Sequence, residues 1–202
     1  HGVAWADGWL YLRSAKGAPS FQVLRLPLTA TDLSRAEVVV AAGEHPIRSI
    51  GVARDALYFT RREGVNTALF RLAPEAGAKP ERVELPVKGN VVFRHVHPRF
   101  DSVLVNLDGW TAVGRDYQID DGGRTVRALT LVKAGAHDAP ADFEAREVMV
   151  AGHDGTRVPV SILARKGIQR DGRNPTVVVA YGAYGTTDDP FFTPRAYAWA
   201  RH

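Results

Sequence analysis

The chain has 202 residues, 45% of them hydrophobic, and a net charge of +4, so it can bury a core in one or two domains and has an ordinary globular composition. It contains no cysteine, which excludes disulfides, zinc thiolates and a cysteine nucleophile. Its apolar runs, such as Val38–Ala42, are strand-sized and far short of the ~18 residues a membrane helix requires, and its basic residues are dispersed, with Arg61–Arg62 and Arg165–Lys166 the tightest pairs. The charge therefore reads as a solvated surface, and neither a nucleic-acid nor a membrane partner is expected.

The sequence begins at His1 and its single methionine is Met149, so the lack of a basic-then-apolar leader carries no information on targeting. "DGWLYLRS" (7–14) predicts a turn followed by a short strand, and "FQVLRL" (21–26) and "EVVVAA" (37–42) predict two more. "RDALYFTR" (54–61) repeats the form of the first and is followed by "ALFRL" (68–72) and "ERVEL" (81–85). After "VVFRHV" (91–96), a third copy appears as "FDSVLVNL" (100–107), then "RDYQI" (115–119) and "VRALTL" (126–131). The Leu-Tyr pairs at 10–11 and 57–58 are matched by Val103–Leu104, giving spacings of 47 and 46 residues. Short β-rich runs separated by Gly, Pro and Asp predict an all-β architecture. A period of ~40–50 residues with about four strands per repeat is that of propeller blades. A β-sandwich, whose turns also recur regularly, is the alternative on periodicity alone.

The pattern changes near residue 150. "EVMVAGHDGTRVPVSILAR" (147–165) predicts a strand, an Asp154–Gly155 turn and a longer strand. "RKGIQRDGRNP" (165–175) is a polar loop. "TVVVAY" (176–181) has no polar alternation, which predicts a strand covered on both faces, as in a mostly parallel sheet. Thr193-Pro194 then opens a helix, since Thr caps well and Pro fits the first helical position. Strand, glycine-containing loop and helix together resemble the start of an α/β domain. The expected division is residues 1–150 as propeller blades and 151–202 as the beginning of a second domain.

The stretch from Asp154 to Gly185 resembles the start of the catalytic domain of the prolyl oligopeptidase family of serine peptidases. The matching features are Asp154-Gly155-Thr156, Val158-Pro159, Arg165-Lys166-Gly167, Asp171-Gly172, Asn174-Pro175 and the Tyr-Gly-rich loop, continued by "FFTPRAYAWARH" (191–202). Upstream, "NLDGWTAVGRDYQID" (106–120) is similar to part of the family's last blade. The resemblance implies a mostly β chain: about three four-stranded antiparallel blades of a partial β-propeller, followed by the first strands and helix of a truncated α/β-hydrolase domain. It also implies an active site between the two, a short peptide as substrate, the remainder of the same polypeptide as partner, and no cofactor or metal.

The resemblance assigns Tyr181 to the oxyanion hole, because in α/β hydrolases the loop after the third strand supplies part of it and a tyrosine does so in this family. Acyl transfer places negative charge on the carbonyl oxygen, and a preorganised donor stabilises it. The family's next positions are usually Gly-Gly-aromatic, whereas this chain has Gly182-Ala183-Tyr184; Tyr184 falls at an aromatic wall of the substrate pocket. No Gly-x-Ser-x-Gly occurs, and the family's nucleophile, acid and base would all lie downstream, so the 202 residues are expected to be inactive alone. The alternative is a non-catalytic binding propeller with a remnant hydrolase segment. Other candidates read as structural. His95 and His97 lie two apart on one strand face without a visible third ligand. His153-Asp154 is a turn, and Asp120-Asp121 and Asp188-Asp189 are solvated loop acids.

Overall fold

The computed structural model describes residues 2–184 and 186–201. Its first 128 residues form three four-stranded antiparallel sheets, each a meander in chain order. The first is β1 (Val3–Ala6), β2 (Trp9–Ser14), β3 (Gln22–Pro27) and β4 (Glu37–Val40). The second is β5 (Ile47–Val52), β6 (Leu57–Glu63), β7 (Asn66–Leu72) and β8 (Glu81–Val83), and the third is β9 (Asn90–His95), β10 (Val103–Gly109), β11 (Ala112–Asp120) and β12 (Thr125–Ala128). These are the three blades that the repeat predicts. The sandwich alternative is not formed: the sheets stack face to face in sequence, and their first strands line a common cleft of about 280 Å³.

The middle blade is covered on both faces, and its sequence reflects that. In β6 the consecutive residues Leu57, Tyr58, Phe59 and Thr60 are all buried. Successive side chains on a strand point to opposite faces. Leu57 and Phe59 accordingly join Ala6, Val23 and Val40 of the first blade, while Tyr58 joins Val103, Val105 and Ile119 of the third. Each large apolar side chain buried this way contributes ~1.5–3 kcal/mol. Phe59 stacks on its cross-strand partner Phe70, with ring centroids 5.4 Å apart. Thr60 is satisfied by accepting from the Ser49 N–H at 3.2 Å. In the third blade β10 alternates strictly, with Val103, Val105 and Leu107 facing the second blade and Leu104, Asn106 and Asp108 half-buried on the other face.

Two strands that the sequence does not announce are β1 and β5. β5 carries Arg48, Ser49 and Gly51 among its apolar residues, and Gly51 is needed: a Cβ there would lie 2.9 Å from the Val96 side chain. A similar close approach occurs at Gly89, against which the backbone carbonyl of Asp108 packs.

Beyond the blades, β13 (Phe143–Ala151) pairs along its whole length with β14 (Arg157–Arg165) around the expected Asp154–Gly155 turn. Gly155 has φ +81°, and Asp154 accepts from both the N–H and the hydroxyl of Thr156. The division near residue 150 falls inside β13, so this hairpin is a single unit spanning it. Glu147 of the hairpin accepts from the Val65 N–H in the β6–β7 turn at 2.9 Å, tying the hairpin to the second blade. The chain closes with α1 (Pro194–Arg201), which begins at the expected proline. One predicted element is not formed. Residues 176–181 are not in a strand, and Val177, Val178 and Val179 are 61%, 85% and 79% exposed. A strand exists only through its neighbours. Among the described residues the blade strands pair within their own blades and β14 pairs only with β13, so this run has nothing to pair with.

Candidate functional site

The loop carrying the two candidate tyrosines is held on both sides by local hydrogen bonds. Before it, the Asn174 side-chain amide donates to the Gln169 carbonyl at 2.6 Å, closing the polar loop after β14, and the Thr176 hydroxyl donates to Asn174 O at 3.0 Å. After it, the carbonyl of Ala183 accepts from the N–H and the hydroxyl of Thr186, at 3.1 and 2.9 Å, making a turn across the glycine-rich stretch. Tyr184 sits inside this turn at φ +57°, a left-handed conformation uncommon for a large side chain. Tyr181 is 57% and Tyr184 93% exposed, and both hydroxyls are without protein hydrogen-bond partners among the described residues. Residues 176–192 contain tyrosine and threonine hydroxyls but no serine, histidine or cysteine. The loop therefore offers exposed hydroxyl donors on a hydrogen-bonded turn, and no serine, cysteine or histidine of its own.

Anchoring to the blades comes from the residues that follow. Asp189 accepts from the Thr187 hydroxyl at 3.0 Å and meets two guanidinium groups, Arg48 on β5 at 3.3 Å and Arg62 on β6. The Phe192 N–H donates to Asp108 Oδ1 on β10 at 3.0 Å, and Phe191 packs against Trp110. Tyr197 on α1 is buried. Its hydroxyl donates to the Trp110 carbonyl at 2.6 Å, and its ring meets Phe143 edge-on at 4.5 Å and Phe192 at 5.0 Å. Burial, then the nearby Asp142 charge, pushes this hydroxyl up to about 12. The double-tyrosine loop is thus fixed between the polar loop after β14 and a C-terminal segment docked on the second and third blades.

Two readings of the charges change here. Asp189 is no solvated loop acid, since its carboxylate is shared by two arginines. Arg61 and Arg62 are no solvated pair. Arg62 has a side chain only 13% exposed, while Arg61 donates to Ala41 O at 3.3 Å and lies over the rings of Phe59 and Phe70. The signal available in sequence is that both continue a strand whose preceding four residues are buried. Asp108 and Trp110, which seat the tail, carry no local signal. Asp188 stays exposed, and Asp120 and Asp121 accept from Gln118 and Thr125 within their own blade.

His95 and His97 lie on the wall of the cleft formed by β1, β5 and β9. Their rings are parallel at 5.9 Å, and Phe100 is 5.9 Å from each. The His97 Nδ1 accepts from the Arg99 N–H at 3.2 Å. No group of three or more His, Cys, Asp or Glu gathers as for a metal among the described residues.

No family model matches the chain. It is 26% identical over 189 residues to prolyl oligopeptidase A of Amanita bisporigera, covering 92% of this chain and 24% of that protein. It is 24% identical over 191 residues to protease 2 of Moraxella lacunata, covering 94% and 27%. Its fold matches the structure of oligopeptidase B from Leishmania major with a TM-score of 0.83 at 18% identity, over 98% of this chain and 29% of that one. The chain spans about a quarter of the length of the curated relatives it matches. By sequence and by fold, along nearly its whole length, it is related to the peptidases of the prolyl oligopeptidase family.

Proposed function

We propose that this chain is the part of a serine oligopeptidase that joins its propeller to its hydrolase domain. Residues 1–150 are the C-terminal blades, residues 151–202 the start of the α/β-hydrolase domain, and the β13–β14 hairpin is their junction. The complete enzyme cleaves short peptides through an acyl-enzyme, with Ser, Asp and His supplied by residues outside this sequence and the propeller restricting access. Tyr181 donates its hydroxyl to the oxyanion of the tetrahedral intermediate, and Tyr184 forms a wall of the substrate pocket. The observation that carries the reading is the similarity to a prolyl oligopeptidase and to a protease over more than nine-tenths of the chain, blades and tail together. The exposure of both tyrosines, on a loop tied to the blades through Asp189, is consistent with a site facing the propeller.

The test is to express the complete open reading frame that contains these residues. It is treated with a fluorophosphonate, which labels an activated serine, and assayed on peptidyl-coumarin substrates. Labelling of one serine in a Gly-x-Ser-x-Gly elbow, with turnover that the label abolishes, is the expected result. A product with neither label nor turnover sinks the peptidase reading and leaves a binding propeller.

A further inference from the structure

Where the first two blades meet the tail, three guanidinium groups collect: Arg13 on β2, Arg48 on β5 and Arg62 on β6. Among the described residues Asp189 is the only carboxylate within 4.0 Å of any of them. Arg13 spends its donors on the backbone carbonyls of Ile47 and Arg48 instead. Arg13 also lies over the Phe21 ring, its guanidinium carbon 4.3 Å from the centroid. The Nε of Arg62 is buried without a hydrogen-bond partner. Burial, and then repulsion from Arg48, lowers the pKa of both Arg13 and Arg62. Arg48 is the open side of the cluster, its side chain 41% exposed. One carboxylate, paired with Arg48 and Arg62 and with Arg13 beside them, leaves positive charge unbalanced in a partly desolvated place, where an anion gains most.

We propose that this cluster is an oxyanion-binding site, in which Arg48, backed by Arg13 and Arg62, takes the carboxylate of a peptide ligand beside the resident Asp189. Asp189 already displays the geometry, a carboxylate bridging Arg48 and Arg62. The choice of a peptide carboxylate over a free anion rests on the proposed peptidase function. Asp189 follows Tyr184 by five residues, which span at most about 18 Å of extended chain. A short peptide lying along the tyrosine loop therefore brings an acidic end group within range of Arg48.

The experiment is isothermal titration of the 202-residue chain with a pentapeptide carrying a free C-terminal carboxylate, with the same peptide as its C-terminal amide, and with inorganic phosphate. Because no turnover is involved, the result is independent of the serine-labelling test. The free acid should bind about tenfold more tightly than the amide, as one charge-assisted interaction allows. Arg48→Gln should erase that preference and Arg48→Lys should keep part of it, with far-UV circular dichroism melts establishing that all three proteins are folded. Equal binding of acid and amide, no binding of either, or a preference that survives Arg48→Gln overturns the proposal. Arg48-dependent binding of phosphate without any preference for the peptide acid overturns the peptide assignment while supporting an oxyanion site for small inorganic anions.

Discussion

Leu57–Thr60 and Val177–Ala180 are both four-residue runs without polar alternation, and they end in opposite environments. The first is buried between two blades, with Tyr58 and Phe59 fully inaccessible; the second is exposed along its whole length. Hydrophobicity is not what separates them. β6 has partners on both edges, β5 and β7, and a blade on each face, so its apolar side chains and its backbone groups are satisfied together. The valine run has neither edge nor face. Continuous apolar sequence thus specifies a demand for cover, and the surrounding chain decides whether that demand is met.

The largest effect should come from the covered run. Phe59→Ala removes a ring packed between blades and stacked on Phe70, and should cost about 3–5 kcal/mol in urea denaturation. A cost below ~1 kcal/mol would mean that the blades do not pack as one core. Next comes the loop at the end of the exposed run. In the complete enzyme of the proposed function, Tyr181→Phe should lower kcat by about 10²–10³ through loss of one oxyanion donor, with an unchanged melting curve. Tyr184→Phe should instead change KM in a manner that depends on the substrate side chain. Near wild-type kcat for Tyr181→Phe on several substrates would remove the oxyanion role.

A smaller effect is expected where the tail meets the third blade. Tyr197→Phe loses the hydrogen bond to the Trp110 carbonyl and should cost about 1–3 kcal/mol at pH 7. The pH dependence has a definite sign. The folded hydroxyl titrates at about 12 against 10.0 when unperturbed, so the folded state prefers the neutral form. The stability this carries is complete below pH 10 and is lost as pH rises from 10 toward 12, where the unfolded chain releases its proton first. Tyr58, raised mainly by burial and also by Asp55, acts in the same direction. Tyr197→Phe should therefore lessen the fall of Tm across this window without abolishing it, and an unaltered fall would show that Tyr197 is solvated. The smallest effect should be Val178→Ala in the uncovered run, within about 0.5 kcal/mol of the parent. A loss comparable to that of Phe59→Ala would mean that the run is covered in solution, which would erase the contrast between the two segments.

Much of the blade architecture was legible in the sequence because its causes are local. The turn residues, the alternation of Val103, Val105 and Leu107, and the 46–47-residue repeat all arise within a few neighbouring strands. β5 was harder to see because its Arg48, Ser49 and Gly51 answer to tertiary demands: a carboxylate from the tail, a hydroxyl of β6 and the side chain of Val96. In the candidate site, the two tyrosines were legible only through a family resemblance, since an aromatic residue beside glycine has no chemistry of its own until a fold places it.

What the sequence by itself determined is the set of local instructions: Asp154–Gly155 makes the hairpin turn, Thr193-Pro194 opens α1, and each blade runs as an antiparallel meander. What only the tertiary structure decided is which distant groups meet. Asp189 finds Arg48 across 141 positions, Tyr197 finds the Trp110 carbonyl across 87, and Phe192 finds Asp108 across 84. Such pairs have no periodicity to read, because their separation along the chain is set by loop closure and blade stacking rather than by the repeat of a strand or a helix. The same holds for the valine run, whose sequence asks for a parallel sheet that neighbouring strands alone can provide.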